Sequence, residues 1–343
     1  MTNSILLLTD YKEFYGSKQK TPVYRGGMDL TKLISIFYNF GFQAKAQQLS
    51  NIDYNIIKVE RPIILYTSSE DQDSLYKSFI EDIILHLQNC YLSILPCFEY
   101  LHVHNNKVAM ELLREASDFE PIRTIRSRVF GTVEELEQIL PDLVFPVVIK
   151  TAKGAMSKGV AKADSPSQLI KLAKHFSKST KFKHDFKEIL RLVKYRNTYV
   201  RESFYRNKFV IQNFIPGLNN DWKVLVYSNR CYVLFRGNRN NDFRASGSGK
   251  FIFTTEIPDG ILDYALNIKN YFKVPHISLD IGYDGNYFHL IEFQFLYFGT
   301  TTLEKSPFYF EKQNDVWVIQ NEKSCLEEVY VRSIIDYLNQ QKI

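Results

Sequence analysis

Two patterns share this chain, and together they limit its fold more than any single residue does. From Phe209 onward the sequence is β-rich, with short runs at Phe209–Phe214, Lys223–Tyr227, Cys231–Arg236, Lys250–Phe253, His276–Ile281 and Tyr287–Phe295. A helix is predicted between Asp259 and Tyr271, and another at Ser324–Gln340. The N-terminal stretch instead alternates. The apolar run Ser4–Thr9 leads through a polar loop to a helical pattern at Asp29–Phe40, which Gly41 stops, and strand-like segments follow at Gln43–Ala46 and Pro62–Tyr66. That β–loop–α–β order predicts a small parallel α/β domain. No G-x-G-x-x-G follows its first strand, the local glycines being Gly16, Gly26 and Gly27, which argues against a dinucleotide there.

A linker near Pro96–Asn106 leads to a helix from Asn106 to Ser117, capped by Asn105 or Asn106, with Pro121 beyond its end. A strand at Arg123–Val129, a helix at Val133–Leu140, a strand at Phe145–Lys150 and a helix at Ser165–Phe176 come next. Ser165 is the expected N-cap of that last helix, with Pro166 in its first turn. From Ser177 to Lys208 many Lys and Arg alternate with Tyr and Phe, and acids are few. Such a segment is either a solvated, mobile insertion or a basic lid over an anionic ligand. A chain of 343 residues exceeds what one core holds, so an α+β protein of two or three subdomains is expected, divided as 1–100, 101–208 and 209–343.

Composition removes several classes. Apolar residues at 45% and charged residues at 24% describe an ordinary globular protein. A net charge of +5 is small for this length and gives no reason to invoke nucleic acid. Cys90, Cys97, Cys231 and Cys325 form no C-x-x-C pair, which fits a reduced, cytoplasmic setting. The opening MTNSILLLTDYKEF lacks the basic and cleavable parts of a signal peptide, and no run approaches the roughly 18 apolar residues of a membrane span. A soluble protein without a membrane partner is expected.

Four segments carry chemistry. In FPVVIKTAKGAMSKGV, Phe145 to Val160, a strand ends in Lys150 and a loop with two glycines and two further lysines follows. Phosphate oxygens are held by such material: a fixed cation and backbone N–H groups that glycine lets come close. Val160 after Gly159 excludes a Walker motif, and a solvated turn is the plain alternative. In VIQNFIPGLNNDWKVLV, Val210 to Val226, a Pro-Gly break between strands forms a hinge whose backbone suits an adenine edge, with Phe214 and Ile215 beside the ring. An ordinary strand–turn–strand explains it as well. Arg236 and Arg244 flank RNNDFRASGSGK, and arginine's planar fork suits phosphate or carboxylate, although a surface loop is the bland reading.

The fourth segment, SLDIGYDGNYFHLIEFQF, reads as a hairpin from Ser278 to Phe295. With a three-residue turn Asp284-Gly285-Asn286, Asp280 faces Leu290 and Glu292 faces Ser278, so Asp280, Glu292 and Gln294 share a face. Three oxygen donors there suit a hard cation such as Mg²⁺. A two-residue turn would turn Asp280 to the other side.

The order of these elements resembles the ATP-grasp superfamily from about Asn105 to Thr302, most like the branch of ribosomal-protein glutamate ligases, with D-alanine–D-alanine ligase and synapsin as relatives. The resemblance implies an ATP-grasp fold, two α+β subdomains gripping ATP, behind a small parallel α/β domain. On that basis Lys107 and Lys150 contact ATP phosphates, with Lys158 in the loop between strands. Gln212, Asn213, Phe214 and Ile215 form the adenine hinge, and Asp221 and Lys223 the acidic–x–basic pair after it. Arg236 and Arg244, together with Lys150, serve catalysis near the transferred phosphate, and Asp280, Glu292 and Gln294 hold Mg²⁺, or Mn²⁺ in its place. Three departures stand out: Gln294 for the usual Asn, Gln212 for a hinge Glu, and FLYFGTTTLEKSP where a small-residue Pro-Gly turn is common.

What the resemblance implies for function is a carboxylate–amine ligase that works through an acyl phosphate. Substrate identity does not transfer with it; the basic segment up to Lys208 hints at an anionic or extended carboxylate, a small molecule, a peptide or a sugar acid, and a homodimer is among the states relatives adopt. The rivals are a nucleotide-binding scaffold of synapsin type and a phosphotransferase. Tyr24, Arg25, Gly26 and Gly27 either line an acceptor site or form a plain loop, and His102 and His104 read as packing or exposed residues.

Overall fold

Leu6, Leu7 and Leu8 are fully buried in β1 (Ser4–Thr9), the apolar-on-both-faces run of an interior parallel strand. In the computed structural model, which describes residues 4–154, 159–179, 182–238, 242, 244 and 251–341, that strand lies inside a parallel sheet of order β2-β1-β3-β4. β2 spans Gln43–Gln48, β3 Ile63–Tyr66 and β4 Ile94–Leu95. Helix α1 (Leu30–Asn39) starts at Asp29, whose carboxylate accepts from Lys32 N. α2 (Tyr54–Glu60) and α3 (Leu75–Asn89) were not assigned from the sequence, and α4 (Phe98–Val103) occupies the predicted linker.

The chain divides into two compact units, one of Met1–His104 with Leu218–Ile343 and one of Asn105–Gly217. In the second, α5 (Lys107–Glu115) is capped by Asn106, β5 spans Ser127–Phe130, and α6 (Val133–Ile139) opens with a Thr132–Glu135 capping box. β6 (Val147–Thr151), β7 (Val160–Ala163), α7 (Pro166–Ser177, N-cap Ser165), α8 (Phe182–Tyr195) and β8 (Phe209–Asn213) complete it. The sheet is antiparallel, of order β5-β8-β6-β7. One face, with Val147, Ile149, Phe209 and Ile211, packs under α6 and α7 through Val133, Leu136, Leu169 and Ala173. Strand β8 therefore belongs to this sheet, and the change of unit comes at the Pro216-Gly217 turn after it.

The returning chain adds β9 (Asn220–Tyr227), β10 (Arg230–Gly237), β11 (Phe251–Ile252), α9 (Ile261–Tyr271), β12 (His276–Tyr283) and β13 (Phe288–Gln294) to the first unit. α10 (Thr301–Lys305), the hairpin β14 (Tyr309–Gln313) with β15 (Val316–Gln320), and α11 (Leu326–Gln341) follow. The sheet runs β13-β12-β9-β10-β14-β15 with β11 on β10, all antiparallel. On one face Leu225, Tyr227 and Tyr232 join Ile5, Leu7, Leu33 and the α11 residues Ile334 and Leu338 in a single core. Along that same face, alternation brings up polar side chains instead.

Candidate active site

That polar end is built by register. Asp221 pairs with Arg236, Lys223 with both Leu234 and Asp280, and Asp280 with Glu292, so period-two alternation turns these charged side chains to one face. Arg236 is buried between two carboxylates: its Nε donates to Asp221 Oδ1 at 2.5 Å and its Nη2 lies 2.7 Å from Asp280 Oδ2. Lys223 Nζ donates to Asp280 Oδ1 at 3.1 Å and to Ser278 Oγ at 2.9 Å. Burial pushes the Asp221 carboxyl up, and repulsion from Asp280 adds to this against the pull of Arg236. Burial opposes ionisation of Asp280 as well, but Arg236 and Lys223 outweigh it and hold that carboxyl well below the usual range. The ion cluster was not foreseen from sequence, because it exists only through strand register.

The predicted hairpin pairing is corrected. Asp280 stands opposite Glu292 and Ser278 opposite Gln294, while beyond a bulge Ile281 pairs with Leu290 and Tyr283 with Phe288. The turn spans residues 284–287, four rather than three, and Ile291 is the extra residue of the bulge. The two departures leave Asp280, Glu292 and Gln294 on one face, now with the carboxylates directly opposed. Among the described residues no three His, Cys, Asp or Glu side chains are grouped to hold a metal, so the oxygen donors there are two carboxylates and an amide. Oxygen-only donors suit a hard cation.

In the other unit, Lys150 and Val148 of β6 alternate away from the core face, paired with Val210 and Gln212 of β8. Lys107 is the first residue of α5; its N–H donates to Ala152 O at 2.8 Å and its Nζ to Gly154 O at 2.8 Å. Asn105 Oδ1 accepts from Gly154 N at 3.0 Å. Helix start, strand end and glycine loop are thus tied together, with both lysines mostly buried. Gly159 packs so tightly on Thr151 that an added Cβ would lie 1.9 Å from its Oγ1. Lys158 lies outside the described residues.

The hinge side chains are engaged inside their own unit. Gln212 Nε2 donates to buried Glu111 at 2.9 Å, and Arg114 Nε donates to the same carboxylate at 2.9 Å. Asn213 Oδ1 accepts from Arg126 N at 2.8 Å. Lys162 Nζ sits 4.8 Å from the Phe214 ring centre, and Ile215 is partly buried. Arg244 forks onto Asp242, Nε to Oδ1 at 2.9 Å and Nη2 to Oδ2 at 2.6 Å. Most of the glycine- and serine-rich segment around it lies outside the described residues. His104 is buried, and among the described residues neither of its ring nitrogens has a hydrogen-bond partner.

No family model and no curated protein matches the sequence. Among solved structures, D-cycloserine synthetase DcsG is similar at a TM-score of 0.53 and 10% identity, over 98% of this chain and 99% of that one. The ATP-grasp ligase PsnB complexed with minimal precursor gives 0.50 at 13% identity, over 98% and 100%. The same ligase with minimal precursor, Mg and ADP gives 0.50 at 11%, over 98% and 97%. Identities this low speak to fold alone, and the fold is clear: a parallel α/β domain with two antiparallel sheets, covered almost end to end by these structures. This chain has the ATP-grasp fold.

Proposed function

We propose that the protein is an ATP- and Mg²⁺-dependent ligase that joins a carboxylate to an amine. The observation carrying this reading is the opposed pair Asp280 and Glu292, with Gln294 on the same face, in a chain of ATP-grasp fold. Bound Mg·ATP would supply the phosphoryl group that activates the carboxylate as an acyl phosphate for displacement by the amine. Asp280, Glu292 and Gln294 would hold the metal, and Lys107, Lys150 and Lys158 the phosphates. Since Gln212 and Asn213 spend their side chains on Glu111 and Arg126, the adenine contact is assigned to the hinge backbone, with Phe214 and Ile215 beside the ring. Asp221 and Lys223 orient Arg236 and Asp280; Arg236 and Arg244 steady developing negative charge. Alignment of this kind removes roughly 7–11 kcal/mol of barrier. The carboxylate partner is a small molecule, a peptide or a sugar acid.

Incubation with Mg·ATP and pooled carboxylates and amines tests the reading. ADP release that needs both partners and yields an amide supports it. A stable phosphorylated product would mark a phosphotransferase, and tight ATP binding without turnover a scaffold.

A further inference from the structure

Along helix α5 the buried residues Lys107, Glu111 and Arg114 recur at i, i+4 and i+7, so one face of the helix carries all three. That face meets the side of the second unit's sheet opposite its apolar core, where Gln212 of β8 stands across from Val148. Lys150 of β6 lies one pair further along that side, about 7 Å away at ~3.3 Å per residue. Helix, lysines and amide all belong to the second unit.

Gln212 is 3% exposed, and its amide is held in one sense. Arg114 donates to both oxygens of the Glu111 carboxylate, Nε to Oε2 at 2.9 Å and Nη2 to Oε1 at 3.4 Å. Gln212 Nε2 donates to Oε1 of the same carboxylate at 2.9 Å. A carboxylate held by a guanidinium only accepts, so the amide atom turned toward it has to be the NH₂ group. Oε1 of Gln212 is left over. It has no hydrogen-bond partner among the described residues and is not sealed from solvent. Arg114 balances the charge of Glu111 whichever way that amide points; the bond to Gln212 is what fixes its sense.

We infer that Glu111 is a positioning residue that selects the nucleobase through Gln212. Resting on the nucleotide site of the ligase reading, the hinge backbone holds the base edge, and Gln212 Oε1 adds an acceptor beside it. That acceptor suits a 6-amino group, as in adenine, and opposes a 6-oxo group, as in hypoxanthine or guanine. Two acceptors facing each other are both desolvated without a bond, which costs more than one good bond gains. Glu111 touches no substrate. Its part is to forbid the flipped amide, which would present NH₂ and favour the 6-oxo bases.

Calorimetric titration of ATP and of inosine triphosphate, each with Mg²⁺, into the full chain tests this. The parent should bind ATP at least about tenfold more tightly than inosine triphosphate, the worth of a buried hydrogen bond made or left unmade. In Glu111→Gln the new amide keeps its oxygen on Arg114 and offers NH₂ to Gln212, whose own amide then turns over. The preference for ATP should fall at least about tenfold. Gln212→Leu, which leaves the pair of Glu111 and Arg114 whole, should lower it likewise, and adding Glu111→Gln to that variant should change nothing further. A loosened core would weaken both nucleotides alike and leave the preference standing. A parent without preference, or either single variant folded and keeping the parent's preference, overturns the inference. Absence of binding by both nucleotides overturns it together with the nucleotide site, whereas a failure of the ligase reading alone appears in amide formation and leaves this preference unchanged.

Discussion

Arg236 is the residue on which the charged row depends, because it neutralises Asp221 and Asp280 together from a nearly inaccessible position. Replacing it by Met leaves buried Asp221 and partly buried Asp280 with Lys223 the remaining cation paired to Asp280 among the described residues. Breaking a buried pair on one side costs about 3–5 kcal/mol, and urea denaturation of Arg236→Met should lose that much; a loss under about 1 kcal/mol would mean the cluster is far better solvated than its burial indicates. Two buried histidines set a pH dependence. Burial, with Lys77 and Lys269 adding, lowers His104 and His276 to about 3. The unfolded pKa is about 6.5, so between these values the unfolded chain binds more protons and stability falls as pH drops through the unfolded value. The unfolding free energy from urea titrations should decline from pH 7 to 5, by up to about 1.4 kcal/mol per pH unit for each histidine, and the slope should flatten in His104→Phe. At this scale the sequence showed which residue types could bind a cation, but not that Lys223 and Arg236 stand against them. Ion pairing across β9, β10 and β12 is a property of register, and no local pattern encodes it.

At the scale of elements, two helix starts were legible because capping is local chemistry: Asn106 and Ser165 each accept from the first turn they precede, as Asp29 and Thr132, not named as caps from the sequence, also do. The hairpin β12–β13 was legible in alternation but not in pairing, since a four-residue turn and a bulge at Ile291 are backbone choices that apolar spacing leaves open. The shared face of Asp280, Glu292 and Gln294 survived because the pattern on each strand was right. Gly27 is a second local constraint. It has φ +79°, and a Cβ there would lie 2.5 Å from Tyr15 O. Gly27→Ala should cost about 1–3 kcal/mol in urea titrations and disturb the Tyr15 loop; a neutral outcome would show that loop to be pliable. Helix α8, within the basic segment 177–208, was not assigned from the sequence. Phe186, Ile189, Leu190 and Val193 face outward while Glu188 is buried, accepting from Tyr199, Arg191 and Glu202 N. Ile189→Ser should therefore change stability by less than about 0.5 kcal/mol, as exposed substitutions do.

Over the whole molecule, the contrast between an alternating α/β start and a β-rich end was enough to anticipate a parallel domain ahead of antiparallel sheets. It did not reveal that the chain leaves the first unit at His104 and returns to it at Leu218, because nothing local to β9 says which core it will join. The formal charges of the row, Asp221, Asp280 and Glu292 against Lys223 and Arg236, sum to only −1, too little to hold a divalent ion strongly without the phosphates of a nucleotide. Mg²⁺ alone should leave the thermal midpoint unchanged, and Mg²⁺ with ATP should raise it. The central claim is the proposal that Lys150 holds the phosphates of ATP and Glu292 the Mg²⁺ bound with it. Calorimetric titration of ATP with and without Mg²⁺, into the parent, Lys150→Ala and Glu292→Ala, tests it most directly. Affinity should fall at least about tenfold in Lys150→Ala, and the gain from Mg²⁺ should vanish in Glu292→Ala. Variants that are folded and bind Mg·ATP as tightly as the parent would contradict it.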